Sequence, residues 1–106
     1  MELTRTEKPG LMLIGVTGEV DMRNSPDLRR ELLDLCSRFV PHVVVDLEKV
    51  AYIDSSGIAT LVECMKNVKR YGGRLTLIGV NDDIFPVFEL ARLDHVFDIR
   101  RDKSFD

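Results

Sequence analysis

The run from Tyr52 to Leu61, YIDSSGIATL, sets an acid, two hydroxyls and a glycine side by side where an apolar stretch gives way to helical spacing. A serine hydroxyl at a helix start has two uses. Its oxygen can accept from backbone N–H groups that lack an intrahelical partner, which makes it a plain cap, or it can carry a phosphate. The cap reading explains one serine. Ser55 and Ser56 are two, Gly57 leaves the backbone beside them uncrowded, and the segment lies at the carboxyl end of an expected central strand, where α/β sheets commonly place ligands. A phosphate on Ser55 would sit near free helical amides and the positive end of the helix dipole, so the fold accommodates it without unfolding. A phosphoserine carries about −1.5 to −2 charges at neutral pH. Beside Asp54 it turns the loop into a concentrated negative patch that repels a previously matched partner. Cap and switch are both compatible with these residues.

Nucleophilic catalysis asks for more than a hydroxyl. Ser55 and Ser56 do not lie in a G-x-S-x-G elbow, and no spacing in the sequence brings His42 or His95 to them as a base. The two histidines stand apart from any cluster at metal-ligand spacing, so they are expected at strand ends or on the surface, and no metal or cofactor is implied. Gly15-Val16-Thr17-Gly18 lacks the lysine and hydroxyl of a phosphate-cradling loop and reads as a strand end and turn. The chain is expected to bind rather than to catalyse.

The elements that must hold the Asp54–Gly57 segment follow from the spacing of apolar residues. Leu11–Val16 reads as a strand after the Pro9-Gly10 turn, with Leu3–Thr6 pairing to it as an edge. Asn24-Ser25-Pro26 opens a helix, Asn24 or Ser25 capping and Pro26 in the first turn; Leu28, Leu32, Leu35, Cys36 and Phe39 form its buried face, and Pro41 closes it. His42–Leu47, with three consecutive valines, predicts a central strand covered on both faces. Ile58, Leu61, Val62, Met65 and Val68 predict an amphipathic helix that starts at the DSSG segment and ends at Lys69-Arg70 and a left-handed Gly72-Gly73 cap. Val43, Val45, Leu61 and Met65 are expected in the core, holding the loop in place.

Arg74–Val80 is the next strand. Asp83 is expected to cap a third helix with Pro86 in its first turn and Ile84, Val87, Phe88 and Ala91 inward; His95–Ile99 adds a last short strand, and the tail after Asp98 is expected to fray. The order strand, strand, helix, strand, helix, strand, helix, strand contains one right-handed parallel crossover from His42 to Val80. It predicts an α/β fold, a mixed β-sheet of about four to five strands packed with α-helices.

Composition bounds the setting. With 106 residues, 44% hydrophobic and 31% charged, the chain is expected to form one domain over 1–106. The net charge is −3 and basic residues stand only in pairs such as Arg29-Arg30, Lys69-Arg70 and Arg100-Arg101, so direct binding of nucleic acid is not expected. Cys36 and Cys64 fall within helical patterns and are expected to be packed thiols. There is no signal-peptide core and no apolar run near the roughly 18 residues of a membrane span. A reducing cytoplasm is the expected compartment, with no transmembrane segment.

Over nearly the whole chain, Gly18-Glu19-Val20-Asp21, Val44-Val45-Asp46-Leu47, Ile53-Asp54-Ser55-Ser56-Gly57, Gly72-Gly73 and Leu93 resemble the STAS domains, named for sulfate transporters and anti-sigma factor antagonists. The small bacterial anti-sigma factor antagonists are the branch it resembles most. The resemblance implies a STAS-like domain and a protein-binding switch. Ser55, directly after the aspartate, matches the acceptor of a partner serine kinase that is also the anti-sigma factor. In the family the unmodified antagonist binds that kinase and frees the sigma factor; phosphorylation breaks the complex, and a serine phosphatase restores it. Asp21, near the acceptor loop, is implied in partner recognition together with Asp54, Ser56 and Gly57. Many antagonists resemble Leu-Gly after DSSG, where this chain has Ile58-Ala59-Thr60. STAS domains also serve as subunits of lipid-transporting ABC transporters and of sensory complexes, so a subunit that binds its partner without phosphorylation is the alternative.

Overall fold

Val43, Val44 and Val45 have no exposed surface, so the valine run is covered on both faces as expected. They lie in the third strand of a computed structural model that describes residues 1–105. In chain order the elements are β1 (Glu2–Lys8), β2 (Leu11–Val20), α1 (Ser25–Ser37), β3 (His42–Ile53), α2 (Ser55–Arg70), β4 (Arg74–Ile78), α3 (Phe85–Leu90) and β5 (Asp98–Ile99). The five strands form one sheet in the order β1-β2-β3-β4-β5, antiparallel between β1 and β2 and parallel thereafter. This is the mixed α/β sheet that the sequence predicts.

Each parallel strand is reached through a helix, and right-handed crossovers stepping in one direction carry all the helices to one face. The core has that arrangement. Ile14 and Val16 of β2, Val43 and Val45 of β3 and Leu77 of β4 belong to one buried cluster with Leu28, Leu32 and Leu35 of α1 and Leu61, Met65 and Val68 of α2. Ile84, Phe88 and Phe97 continue it, the two phenylalanine rings meeting edge to face at 5.8 Å. On the opposite face, Val44 sits between Leu13 and Thr76 in register. Fully buried Thr76 donates to Asp98 Oδ2 at 3.0 Å, so the contact at 2.8 Å from His42 Nε2 must be a donation from the imidazole. His42 is thereby a structural strand-end histidine.

β2 and β3 run further than their apolar starts indicate. Register shifts between Gly15 and Thr17 and between Gly18 and Glu19 break the two-residue alternation, so Val50 and Ile53 are buried at irregular spacing. Phe39 is a second departure. It was expected on the buried face of α1, but that helix ends at Ser37; Phe39 takes φ 55, stands 68% exposed and meets Tyr71 edge-on at 5.5 Å. Gly72, at φ +79, provides the left-handed stop expected after α2, and the Gly73 N–H reaches back to the Val68 carbonyl at 2.7 Å.

Asp83 does not cap α3. The N-cap is Ile84, with no side-chain cap bond, and Asn81 instead closes the turn before the helix, its Oδ1 accepting from the Asp83 and Ile84 N–H groups at 2.9 and 3.2 Å while its amide nitrogen donates to the Val50 carbonyl at 2.9 Å. With α3 only six residues long, Ala91 falls at its end and is exposed. β5 is shorter than His95–Ile99 because residues 94–96 form a turn. Of the tail expected to fray, Arg101, Asp102 and Lys103 are tied to the body of the domain, and Asp106 lies outside the described residues. The Gly79 N–H donates to the Asp102 carbonyl, Arg101 donates to the Val80 carbonyl and covers the Phe85 ring at 4.5 Å, and Lys103 pairs with Asp46 at 2.8 Å. No described helix is long and apolar enough to cross a membrane.

Candidate functional site

Asp54 ends the extended run of β3 with φ −101 and ψ −175, which makes it the N-cap of α2. Its Oδ1 accepts from the Ser56 and Gly57 N–H groups at 2.9 and 3.2 Å and from the Ser56 hydroxyl at 2.6 Å. The cap is therefore the aspartate, and the two serines separate. Ser56 is half-buried and its hydroxyl is spent on Asp54; Ser55, at the first helical position, is exposed and its hydroxyl has no hydrogen-bond partner among the described residues. A capping role does not account for Ser55.

The Ser56 hydroxyl is the largest influence holding the Asp54 carboxyl below its ordinary value, and the Gly57, Ser56 and Met22 N–H groups add to it against some desolvation. Because the folded value is depressed, the stabilising contribution of this cap is present above the unfolded value and is lost only as pH falls through the lower folded one. At neutral pH Asp54 is an anion beside an unengaged hydroxyl.

Gly57, expected among the partner-binding residues, is buried. A Cβ there would lie 2.7 Å from Ile53 Cγ1 and 2.8 Å from Val20 Cγ1. Gly57 lets the first turn of α2 rest on the ends of β2 and β3, and so fixes where Ser55 stands. Gly57→Ala gains up to about 1 kcal/mol of helix propensity, but overpacking two branched side chains costs about 1–3 kcal/mol. Each net kcal/mol lowers the melting temperature of a small domain by about 4–8 °C. A thermal scan should show the variant melting below the parent, and an equal or higher midpoint would contradict the packing account.

Asp21 follows Val20 just as Asp54 follows Ile53, and these preceding residues are paired in register. The Asp54 N–H donates to the Val20 carbonyl at 3.1 Å. With neighbouring parallel strands about 5 Å apart, the two acids leave the sheet side by side. The Asp21 carboxylate is half-buried and holds Arg23, through the backbone N–H at 2.9 Å and the guanidinium at 2.8 Å. The Arg23 side chain is the foremost cause of the low Asp21 pKa. Asn24, expected as a possible cap, instead accepts from the Asp21 N–H at 3.0 Å and donates to the Glu19 carbonyl at 2.9 Å, tying this loop closed.

Met22 was missed from the sequence. It is 75% exposed between the two charged residues, and its N–H lowers the Asp54 pKa, which sets it against the Asp54–Gly57 segment. The signal was present in Asp21-Met22-Arg23-Asn24: an apolar residue in a polar turn just after a strand. Tyr52, half exposed near the end of β3, adds a second large side chain at this end of the sheet. The cysteines take no part. Cys36 and Cys64 are buried, and burial raises both thiol pKa values. Among the described residues no group of His, Cys, Asp and Glu is placed to hold a metal ion.

Comparison with known proteins places this geometry in context. The STAS domain profile matches residues 2–104. The anti-sigma-B factor antagonist of Bacillus subtilis (strain 168) is 30% identical over 86 residues, covering 81% of this chain and 78% of that protein. Among solved structures, the anti-sigma factor antagonist SpoIIAA in its unphosphorylated form superposes with a TM-score of 0.77 at 15% identity, over 97% of this chain and 90% of that one. The Bacillus cell fate determinant SpoIIAA in its phosphorylated form gives 0.74 at 17% identity, over 92% and 90%.

Proposed function

Since the chain belongs to the STAS domain family, we propose that it is an anti-sigma factor antagonist whose binding is switched at Ser55. Unmodified, it binds an anti-sigma factor that is also a serine kinase, and the sigma factor is released. Transfer forms the Ser55 Oγ–phosphorus bond and breaks the bond between the γ-phosphorus and the bridging oxygen of ATP, with ADP leaving. The hydroxyl proton passes to a base on the kinase, since Asp54 already accepts from Ser56 and two backbone amides and its pKa is held low. A serine phosphatase resets the switch by hydrolysis, in the cytoplasm where sigma factors act.

The observation that carries this reading is the exposed, unengaged Ser55 hydroxyl next to a neighbour that does the capping. The names of the relatives and the two SpoIIAA forms support it. A subunit that only docks, as in a transporter complex, has no use for that free hydroxyl. The direct test adds unmodified protein to a complex of sigma factor and anti-sigma factor kinase from the same genome. Sigma factor should be released, and should be recaptured after incubation with ATP. No release at any ratio of the proteins, or release that ATP leaves unchanged, counts against the switch.

A further inference from the structure

Resting on the reading of Ser55 as a kinase substrate, we infer that the outward stripe of α2 is a docking strip for an acidic surface of that kinase. Successive helical turns place Ala59, Val62, Glu63, Lys66 and Arg70 on the same side as Ser55. Ser55, Ala59, Lys66 and Arg70 are exposed, while the opposite side, with Leu61, Cys64 and Val68, is buried. Along it, Ala59, Val62, Glu63, Lys66, Asn67 and Arg70 line an open depression of about 280 Å³ between their side chains.

Its charge is divided along its length. At the Ser55 end stands Asp54. Glu63, the acid in the middle, is taken up by Arg29 of α1 through two hydrogen bonds at 2.6 and 2.9 Å. Beyond it Lys66 and Lys69 have no acidic partner among the described residues, and Arg70 holds only the neutral Asn67 amide at 3.1 Å. In a chain of net charge −3, cations left without acids form a distinct patch. Cations in a last helical turn complement the helix dipole, which accounts for Lys69 and Arg70. It does not account for Lys66, which precedes that turn and lines the depression.

The occupant follows from continuity and charge. At 1.5 Å per residue, Lys66 and Arg70 lie about 16 and 22 Å along the axis from Ser55. A kinase that brings its nucleotide to Ser55 lies over this strip, and the surface matching its far end carries carboxylates. A nucleic acid strand fits poorly, because Asp54 and Asp21 repel phosphates at the other end. The distance exceeds the Debye length of about 8 Å at physiological salt, so the basic end stays attractive whatever the state of Ser55. It should set how well the substrate docks and leave the transfer step alone.

The test compares steady-state phosphorylation by the cognate kinase. Lys66→Glu with Arg70→Glu should raise KM about tenfold or more with kcat unchanged and flatten the salt dependence of kcat/KM. Lys66→Gln with Arg70→Gln should raise KM less, and Lys8→Glu, off the strip on β1, should leave it alone. An unchanged KM in the double charge reversal, with Ser55 still modified, overturns the docking strip and spares the switch. A parent protein that takes no phosphate at Ser55 overturns the switch reading itself, and this inference with it.

Discussion

Ser55→Ala should abolish phosphate incorporation by the cognate kinase, and Ser56→Ala should retain most of it. The difference comes from what each hydroxyl is doing before any kinase arrives. Ser56 donates to Asp54 at 2.6 Å and is half-buried, so making it a nucleophile would first break a charge-assisted bond. Ser55 is exposed at the first position of α2 with nothing to release. In Ser56→Ala the Asp54 cap keeps its two backbone donors, at 2.9 and 3.2 Å, so the helix start and the position of Ser55 persist. Intact mass after incubation with kinase and ATP reads the outcome, and peptide mapping assigns the residue. Phosphate on Ser56, or shared equally between the serines, would reverse the assignment.

That distinction was only half legible in the sequence. Four adjacent residues at a helix start announce a cap, but which of them caps depends on backbone geometry that the strand end imposes. The Asp54 N–H is bound to the Val20 carbonyl, which holds Asp54 extended and hands it the free amides. Val20 is separated from Asp54 by a helix and a strand, so no local pattern reveals the contact. The same limit explains Gly57. Its freedom was visible, whereas its burial between Val20 and Ile53 is a tertiary fact.

Elsewhere the legible parts were those with a strong local cause. The valine run, the Pro26 helix start and the Gly72 stop each follow from sterics within a few residues. Phe39 failed because it continues the apolar period of α1 past the residue where the helix ends. The tail failed because polarity says nothing of specific partners; Arg101 and Lys103 find Phe85, Asp82, Asp46 and Glu48, all on other elements. The assignment of Ser55 as acceptor came from resemblance, and geometry added the reason its hydroxyl is available.

Phosphorylation should weaken binding of the kinase by on the order of a thousandfold or more while leaving the fold and its melting behaviour nearly unchanged. Within the domain the opposing effects are small. The phosphate gains from the helix N-terminus, typically 0.3–1 kcal/mol at an exposed site, and loses something to the neighbouring Asp54 anion. It need not enter the core, since Ser55 is exposed and Asp54 already satisfies the Ser56 and Gly57 amides. Arg23 on Asp21 further moderates the negative charge on that side.

At a closed interface the same phosphate meets a surface matched to a neutral serine. Like charges forced together there cost several kcal/mol, and each 1.4 kcal/mol is a factor of ten in affinity. Calorimetric titration of both forms against the kinase would give the ratio, with thermal melts and backbone amide spectra as the companion readout. Shift changes should be confined to the β2–α1 loop and the start of α2. Broad changes across β3 and β4 would mean that modification refolds the domain, and equal affinities would mean that charge at Ser55 is not what parts the complex.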